Sequence, residues 1–288
     1  MQAPSKERPG PPWLPILGVV VAIVSLQGGA SLAKQLFPVV GAQGAVSLRL
    51  AVASLMLLAF WRPWRTRPDR ASLGWIAGYG AALGCMNLTF YMSLSTVPLG
   101  LAVALEFVGP LTVAVLASRR WIDLVWVAMA AGGILLLLRL GPATARIDPV
   151  GAAYALTAGV CWGLYILLGK RAGAANQGHA AAYGAVIAAA IVVPIGVAHA
   201  GLALLSPALL PLGLAVGFLT SALPYSLEMA ALARMPARTF GVLMSLEPAI
   251  GALSGFLFLG ERLAPLQMAA VALIMVASAG VVLEQRRD

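Results

Sequence analysis

The sequence predicts an all-α polytopic membrane protein: ten transmembrane helices in two inverted five-helix repeats, with both termini in the cytoplasm. Three observations carry this expectation. Hydrophobic residues fill 61% of the 288 positions and charged residues only 10%, against about a quarter charged in an ordinary soluble domain. The apolar residues fall into runs near the length a bilayer requires, about 20 residues each. The few basic residues gather on one side of the resulting layout. Ten spans with short loops fill the chain, which leaves no room for a separate soluble catalytic or nucleic-acid-binding domain.

The spans are bounded by charge or by Pro and Gly clusters. A cytoplasmic tail, 1–12, carries Lys6 and Arg8 ahead of the first span, 13–36. That run is too long for a cleaved signal peptide, and nine later spans need a first helix to orient them. The second, 41–61, follows Pro38 and stops at Arg62; the third, 72–95, follows the cluster Arg65, Arg67 and Arg70. The fourth, 99–117, runs from Pro98 to Ser118-Arg119-Arg120, and the fifth, 121–140, ends at Arg139 before Gly141-Pro142. These five form the first repeat, 13–140. The second repeat, 141–283, holds spans at 149–170, closed by Lys170-Arg171, then 180–199, then 206–232, closed by Arg234, then 239–259 and 264–283, with a cytoplasmic tail at 284–288.

With the N-terminus in the cytoplasm, fourteen of the nineteen lysines and arginines face inward. Four, Lys34, Arg139, Arg146 and Arg262, face outward, and Arg49 lies within a span. This is the positive-inside asymmetry, and changing the span count by one would scatter it. The net charge of +9 therefore marks helix ends rather than a nucleic-acid surface.

The two halves repeat. At an offset of 138, Pro98 falls on Pro236 and Pro110 on Pro248; at 136, Lys34 falls on Lys170. Five spans per half is an odd number, so the halves sit in the membrane with opposite orientation. Inverted repeats are a transporter architecture, with the substrate site near the midplane between the halves.

Ionisable side chains are costly inside a membrane, so each is a site candidate. Glu106 stands just before Gly109-Pro110, where the proline removes a backbone donor and loosens the helix. Its carboxylate and the freed carbonyls suit an ammonium group or a proton; the alternative is a structural ion pair with Arg49. Arg49 suits a substrate carboxylate, which a guanidinium grips with two parallel bonds, or else fixes the second span to a neighbour. Glu247, before Pro248, matches Gly109 in the repeat and reads as a binding or gating acid, or as packing between the halves. Glu228, ahead of Arg234 and Arg238, reads as an interfacial salt bridge. A cavity for zwitterions also needs amphipathic lining, for which Gln27, Asn87, Tyr91, Trp162, Tyr165, Tyr225 and Ser245 are the candidates. Asn87 and Tyr91 are four apart and share a helix face.

Other chemistries lack their residues. Cys85 and Cys161 form neither a disulfide framework nor a metal motif, and His179 and His199 have no partner at metal spacing. The stretch Gly163 to Gly169-Lys170 has the wrong spacing for a phosphate loop, and no hydrolase elbow occurs. No metal, cofactor or enzymatic activity is expected. A channel or a membrane enzyme is the alternative from another class.

Several segments carry a resemblance: Ser25-Leu26-Gln27-Gly28-Gly29-Ala30-Ser31-Leu32-Ala33-Lys34, the run from Val97-Pro98-Leu99-Gly100 to Glu106-Phe107, Gly109-Pro110-Leu111, Ser118-Arg119-Arg120, Ala222-Leu223-Pro224-Tyr225-Ser226-Leu227-Glu228-Met229 and Arg238-Thr239-Phe240-Gly241. Over essentially the whole chain the sequence resembles the EamA-type permeases of the drug/metabolite transporter superfamily. The resemblance implies secondary export of amino acids across the bacterial inner membrane: threonine and homoserine, and aromatic amino acids as in related members. It implies amino acids and membrane lipid as partners, protons as a candidate coupling ion, no nucleic acid, and a monomer, since both halves are in one chain. Efflux of drugs or other small metabolites by the same fold is the alternative it leaves open.

Overall fold

The computed structural model of the chain describes residues 13–65, 70–117, 121–139, 147–232, 234–235 and 237–284. The tail 1–12 and residues 285–288 of the other tail lie outside these. Every regular element among them is a helix: α1 (Trp13–Lys34), α2 (Phe37–Trp61), α3 (Arg70–Ser93), α4 (Leu99–Glu106), α5 (Val108–Ala117), α6 (Trp121–Arg139), α7 (Pro149–Ala200), α8 (Leu210–Gly217), α9 (Leu223–Leu232), α10 (Ala237–Met244), α11 (Glu247–Leu259) and α12 (Pro265–Glu284). Apolar sequence becomes helix here because a helix satisfies its own backbone hydrogen bonds, as the bilayer interior demands.

Among the described residues six stretches are long and apolar enough to cross a membrane: Trp13–Lys34, Phe37–Trp61, Pro149–Ala172, His179–Leu204, Pro207–Glu228 and Thr239–Leu259. Large apolar side chains cover the outside, with Phe60, Leu116 and Leu202 exposed by 76%, 78% and 84%. Contiguous apolar surface of this kind belongs in lipid, and the protein is a multi-pass membrane protein.

The 52-residue trace of α7 is not one rod. The Tyr79 ring of α3 lies against both Gly169 and Gly184, which would be about 22 Å apart along a straight helix. The stretches Pro149–Ala172 and His179–Leu204 therefore lie side by side, both against α3. Their small residues permit this close packing.

The centre of the molecule is α4, in which every residue from Leu99 to Glu106 is buried. It packs against α7, α11 and α12. At its end the chain breaks: Phe107 caps α4, and α5 starts again at Val108. A second break separates α10 from α11 at Ser245 and Leu246. Ser245 is 138 residues beyond Phe107, the offset that superposes the prolines. The cause is common to both. Pro110 has no N–H for the carbonyl of Glu106, and Pro248 has none for that of Met244. A third irregularity is a π-helical turn, Phe218–Ala222, between α8 and α9.

Candidate functional site

The two proline breaks face each other across the interior. Glu106 is the last residue of α4, and Glu247 is the first of α11. Both are buried. The carboxylate of Glu247 stands at the positive end of its helix, where a negative charge is favoured. The break after α4 is pressed against α7: a side chain on Gly159 would meet the carbonyl of Glu106 at 2.7 Å, and one on Gly109 would collide with Gly159.

Around the breaks lies a cavity of about 510 Å³, within the usual size range of small-molecule sites. Gln27, Arg49, Asn87, Glu106, Trp162, Tyr165 and Glu247, all candidates from the sequence, line it. So do Glu228, Ser278 and the apolar Met86, Phe107, Phe240 and Met244.

Each polar wall has a local support. Arg49 reaches the carbonyl of Thr220 with Nη2 at 3.4 Å, an acceptor presented by the π-helical turn. Its guanidinium carbon lies 5.5 Å from the centre of the Tyr91 ring, a cation–π distance. Its Nε is buried without a hydrogen-bond partner. Among the described residues no ion pair joins Arg49 to Glu106, Glu228 or Glu247; the pair that does form is Lys34 with Glu261, at 2.7 Å. The three acids are near enough for the charges of Glu106 and Glu228 to act on Glu247. Asn87 donates Nδ2 to the carbonyl of Leu83 at 2.8 Å. Trp162 stands edge-on to Phe107, ring centres 5.4 Å apart. Tyr165 stacks on Tyr79 at 4.7 Å, and their hydroxyls are 3.2 Å apart.

Tyr91 and Ser245 take up supporting places behind the wall. Tyr91 is fully buried beneath Arg49 and packs on Phe37. Ser245 donates to the carbonyl of Gly241 at 3.1 Å and lies 3.2 Å from the hydroxyl of Ser278, which is the residue that lines the cavity. The side chain of Tyr225 lies outside the described ones. Glu228 lines the cavity, and among the described residues it makes no ion pair with Arg234; the side chain of Arg238, the other partner expected from the sequence, lies outside the described ones. The signal of Glu228 was already in the sequence, as an acid within an apolar run, but the nearby arginines drew it to the interface. Ser278 carries no such signal, because a single serine in a membrane helix is ordinary.

Among the described residues no group of three His, Cys, Asp or Glu side chains could hold a metal ion. The chemistry on offer is one guanidinium with free donors facing three carboxyl groups in a mostly apolar chamber. That pattern complements a zwitterion: carboxylate to Arg49, ammonium to the acids, and a side chain against Trp162, Phe107 and Phe240.

The sequence matches the EamA-like transporter family over residues 149–283. It is 53% identical over 285 residues to the threonine/homoserine exporter RhtA of Escherichia coli (strain K12), covering 99% of this chain and 97% of that one. The threonine/homoserine exporter RhtA of Salmonella typhimurium (strain LT2) is likewise 53% identical over 285 residues, with the same coverage of 99% and 97%. Among solved structures that share the fold is a crystal structure with a TM-score of 0.58 and 21% identity, covering 95% of this chain and 99% of the other.

Proposed function

The chain belongs to the EamA-like transporter family, and on that premise we propose that it exports threonine, homoserine and other neutral amino acids, aromatic ones among them, from the cytoplasm by alternating access. The observation that carries the reading is the cavity in which Arg49 faces Glu106, Glu228 and Glu247 with no ion pair between them among the described residues. A guanidinium left without a carboxylate in an apolar chamber favours a ligand that brings one. The near-complete alignment with exporters of threonine and homoserine supports the direction and the substrate class.

The protein works as ten spans in the inner membrane, in two inverted halves, 13–140 and 141–283, with both termini cytoplasmic. The proline breaks at equivalent positions of the two halves, and the basic residues concentrated on one side, support this layout. One chain suffices as the transporting unit, because each half supplies a wall of the cavity. Protons couple export, with the cavity glutamates as carriers. No nucleotide-binding motif is present in the sequence to supply another drive.

Proteoliposomes loaded with unlabelled threonine test the reading. Labelled threonine and homoserine should accumulate by counterflow, and an imposed proton gradient should change net flux. Absence of exchange for threonine, homoserine and every aromatic amino acid overturns it.

A further inference from the structure

Between the cavity and the outer end of α1, Gln27 and Ser31 each hold a buried side-chain oxygen with no hydrogen-bond partner. Gln27, Ser31 and Lys34 are spaced by four and three residues and so share one face of α1. Gln27 lines the cavity, and Lys34 ends the helix seven residues, or about 10 Å, further out. Gln27 is 3% exposed and Ser31 not at all, yet Gln27 Oε1 and Ser31 Oγ have no hydrogen-bond partner. Buried polar atoms without partners are rare, and each calls for an explanation.

Their surroundings supply one. Gln27 Oε1 points into the seam where α4 of one half meets α11 of the other, 3.4 Å from where a side chain on Gly251 would begin. The seam is made of small residues. A Cβ on Gly100 would sit 2.5 Å from the Cα of Ala252, so these helices touch backbone to backbone, without interlocked side chains to disengage when they part.

The outer end of the seam is tied shut. Gly260, in the left-handed conformation at φ 67, turns the chain so that the N–H of Glu261 caps the carbonyl of Gly255 at 3.0 Å. The Glu261 side chain then folds back over the bare Cα of Gly255. One carboxylate oxygen pairs with Lys34 Nζ at 2.7 Å, and the other accepts the N–H of Leu99, first residue of α4, at 2.8 Å. Lys34 Nζ also lies 3.4 Å from the carbonyl of Val97. One carboxylate thereby joins α1 and α4 of the first half to α11 of the second.

We propose that amino acids leave the cavity along α1 through the α4–α11 seam, with Gln27 and Ser31 as the polar lining of the route and the Lys34–Glu261–Leu99 cluster as the latch of its outer gate. The route rests on the exporter reading and its topology. In the closed state the two lining groups are unmatched. When the gate opens, water or the hydroxyl and ammonium of a passing amino acid satisfies them, which lowers the cost of opening when substrate is present.

The test is thiol accessibility in intact cells. In a background of Cys85→Ser and Cys161→Ser, Ser31→Cys is exposed to a membrane-impermeant maleimide added outside, with no amino acid in the medium. Labelling should be slow with the latch intact. Glu261→Ala should speed it roughly tenfold, in proportion to the open population. Glu261→Gln should fall between, since its carboxamide still accepts the Leu99 N–H but leaves Lys34 unpaired. Equal rates in all three, fast labelling with the latch intact, or labelling only from the cytoplasmic side overturns the proposal. Should the Ala variant fail to reach the membrane, a second measurement decides: Lys34→Cys with Glu261→Cys, joined by a cleavable bifunctional thiol reagent, should lose threonine counterflow and regain it on reduction. Unchanged counterflow after cross-linking overturns the latch. The labelling assay reads accessibility of one thiol and not transport of any amino acid, so its outcome stands apart from whether threonine is the cargo.

Discussion

In the proposed site a single residue, Arg49, sets the chemistry of the cavity. It is held by the Thr220 carbonyl and the Tyr91 ring, with no carboxylate in ion-pair contact among the described residues, so its remaining donors are available to a ligand. Lysine keeps the charge but loses the planar fork. Arg49→Lys should therefore cut threonine counterflow roughly tenfold, the scale of one lost charge-assisted hydrogen bond, at unchanged membrane abundance; a wild-type rate would remove Arg49 from the binding site. Trp162→Ala should raise the apparent KM for threonine more than it lowers the maximal rate, because it removes a wall that contacts substrate equally in the ground and transition states. At this scale most of the site was legible, since an ionisable or aromatic side chain in the middle of an apolar run has few structural uses. What stayed hidden was orientation. Glu228 and Tyr91 lie on runs that the sequence delimits well, but whether each faces the cavity or the packed interior depends on neighbours contributed by other helices.

The proline breaks are the elements that bring Glu106 and Glu247 together. Each proline leaves one carbonyl without its helical donor, that of Glu106 or of Met244. Restoring the donor should straighten the helix and stabilise it while taking away mobility the transport cycle needs, the usual exchange of activity for stability. Pro110→Ala and Pro248→Ala are expected to raise or preserve the thermal midpoint in detergent and to slow counterflow; faster transport in either would show that the breaks are not part of the cycle. Asp148, outside the spans, caps α7 by accepting the N–H groups of Val150 and Gly151. The Thr96 hydroxyl and, next, the Gly151 N–H hold its carboxyl below the ordinary aspartate range. A lowered folded-state pKa stabilises above the unfolded value and is lost as pH falls through the folded one. The contribution of Asp148 to the thermal midpoint should therefore be fully present and constant from pH 5 to 8, so that Asp148→Ala lowers the midpoint by a similar amount across that range and Asp148→Asn, which still caps, lowers it less. The breaks were foreshadowed by Pro110 and Pro248. The π-helical turn at Phe218–Ala222 was not, because no residue within it forbids an ordinary helix and only tertiary packing selects the wider turn.

Across the whole molecule, the small charged fraction carried more information than the apolar majority. Among the described residues six stretches are long and hydrophobic enough to cross a bilayer, while Leu99–Val113, which runs through the break at Phe107, is apolar but shorter. The proposed ten-span layout rests on the basic residues sorted by side. It predicts that a fluorescent protein fused after Asp288 is bright and an alkaline phosphatase fused there inactive, since only the latter must leave the cytoplasm to work; the opposite pattern would invert the topology and with it the direction of the proposed exit. On the proposed topology the cavity and the latch belong to one conformation, closed outside, with binding groups set apart as a zwitterion would need. That claim is tested most directly by counterflow with dissected substrates in proteoliposomes of the wild-type protein. Threonine should exchange, while its analogue without the carboxylate and its analogue without the ammonium should each fail to do so. Exchange of either analogue at the rate of threonine would contradict the pairing of Arg49 and the cavity glutamates with the two ends of an amino acid.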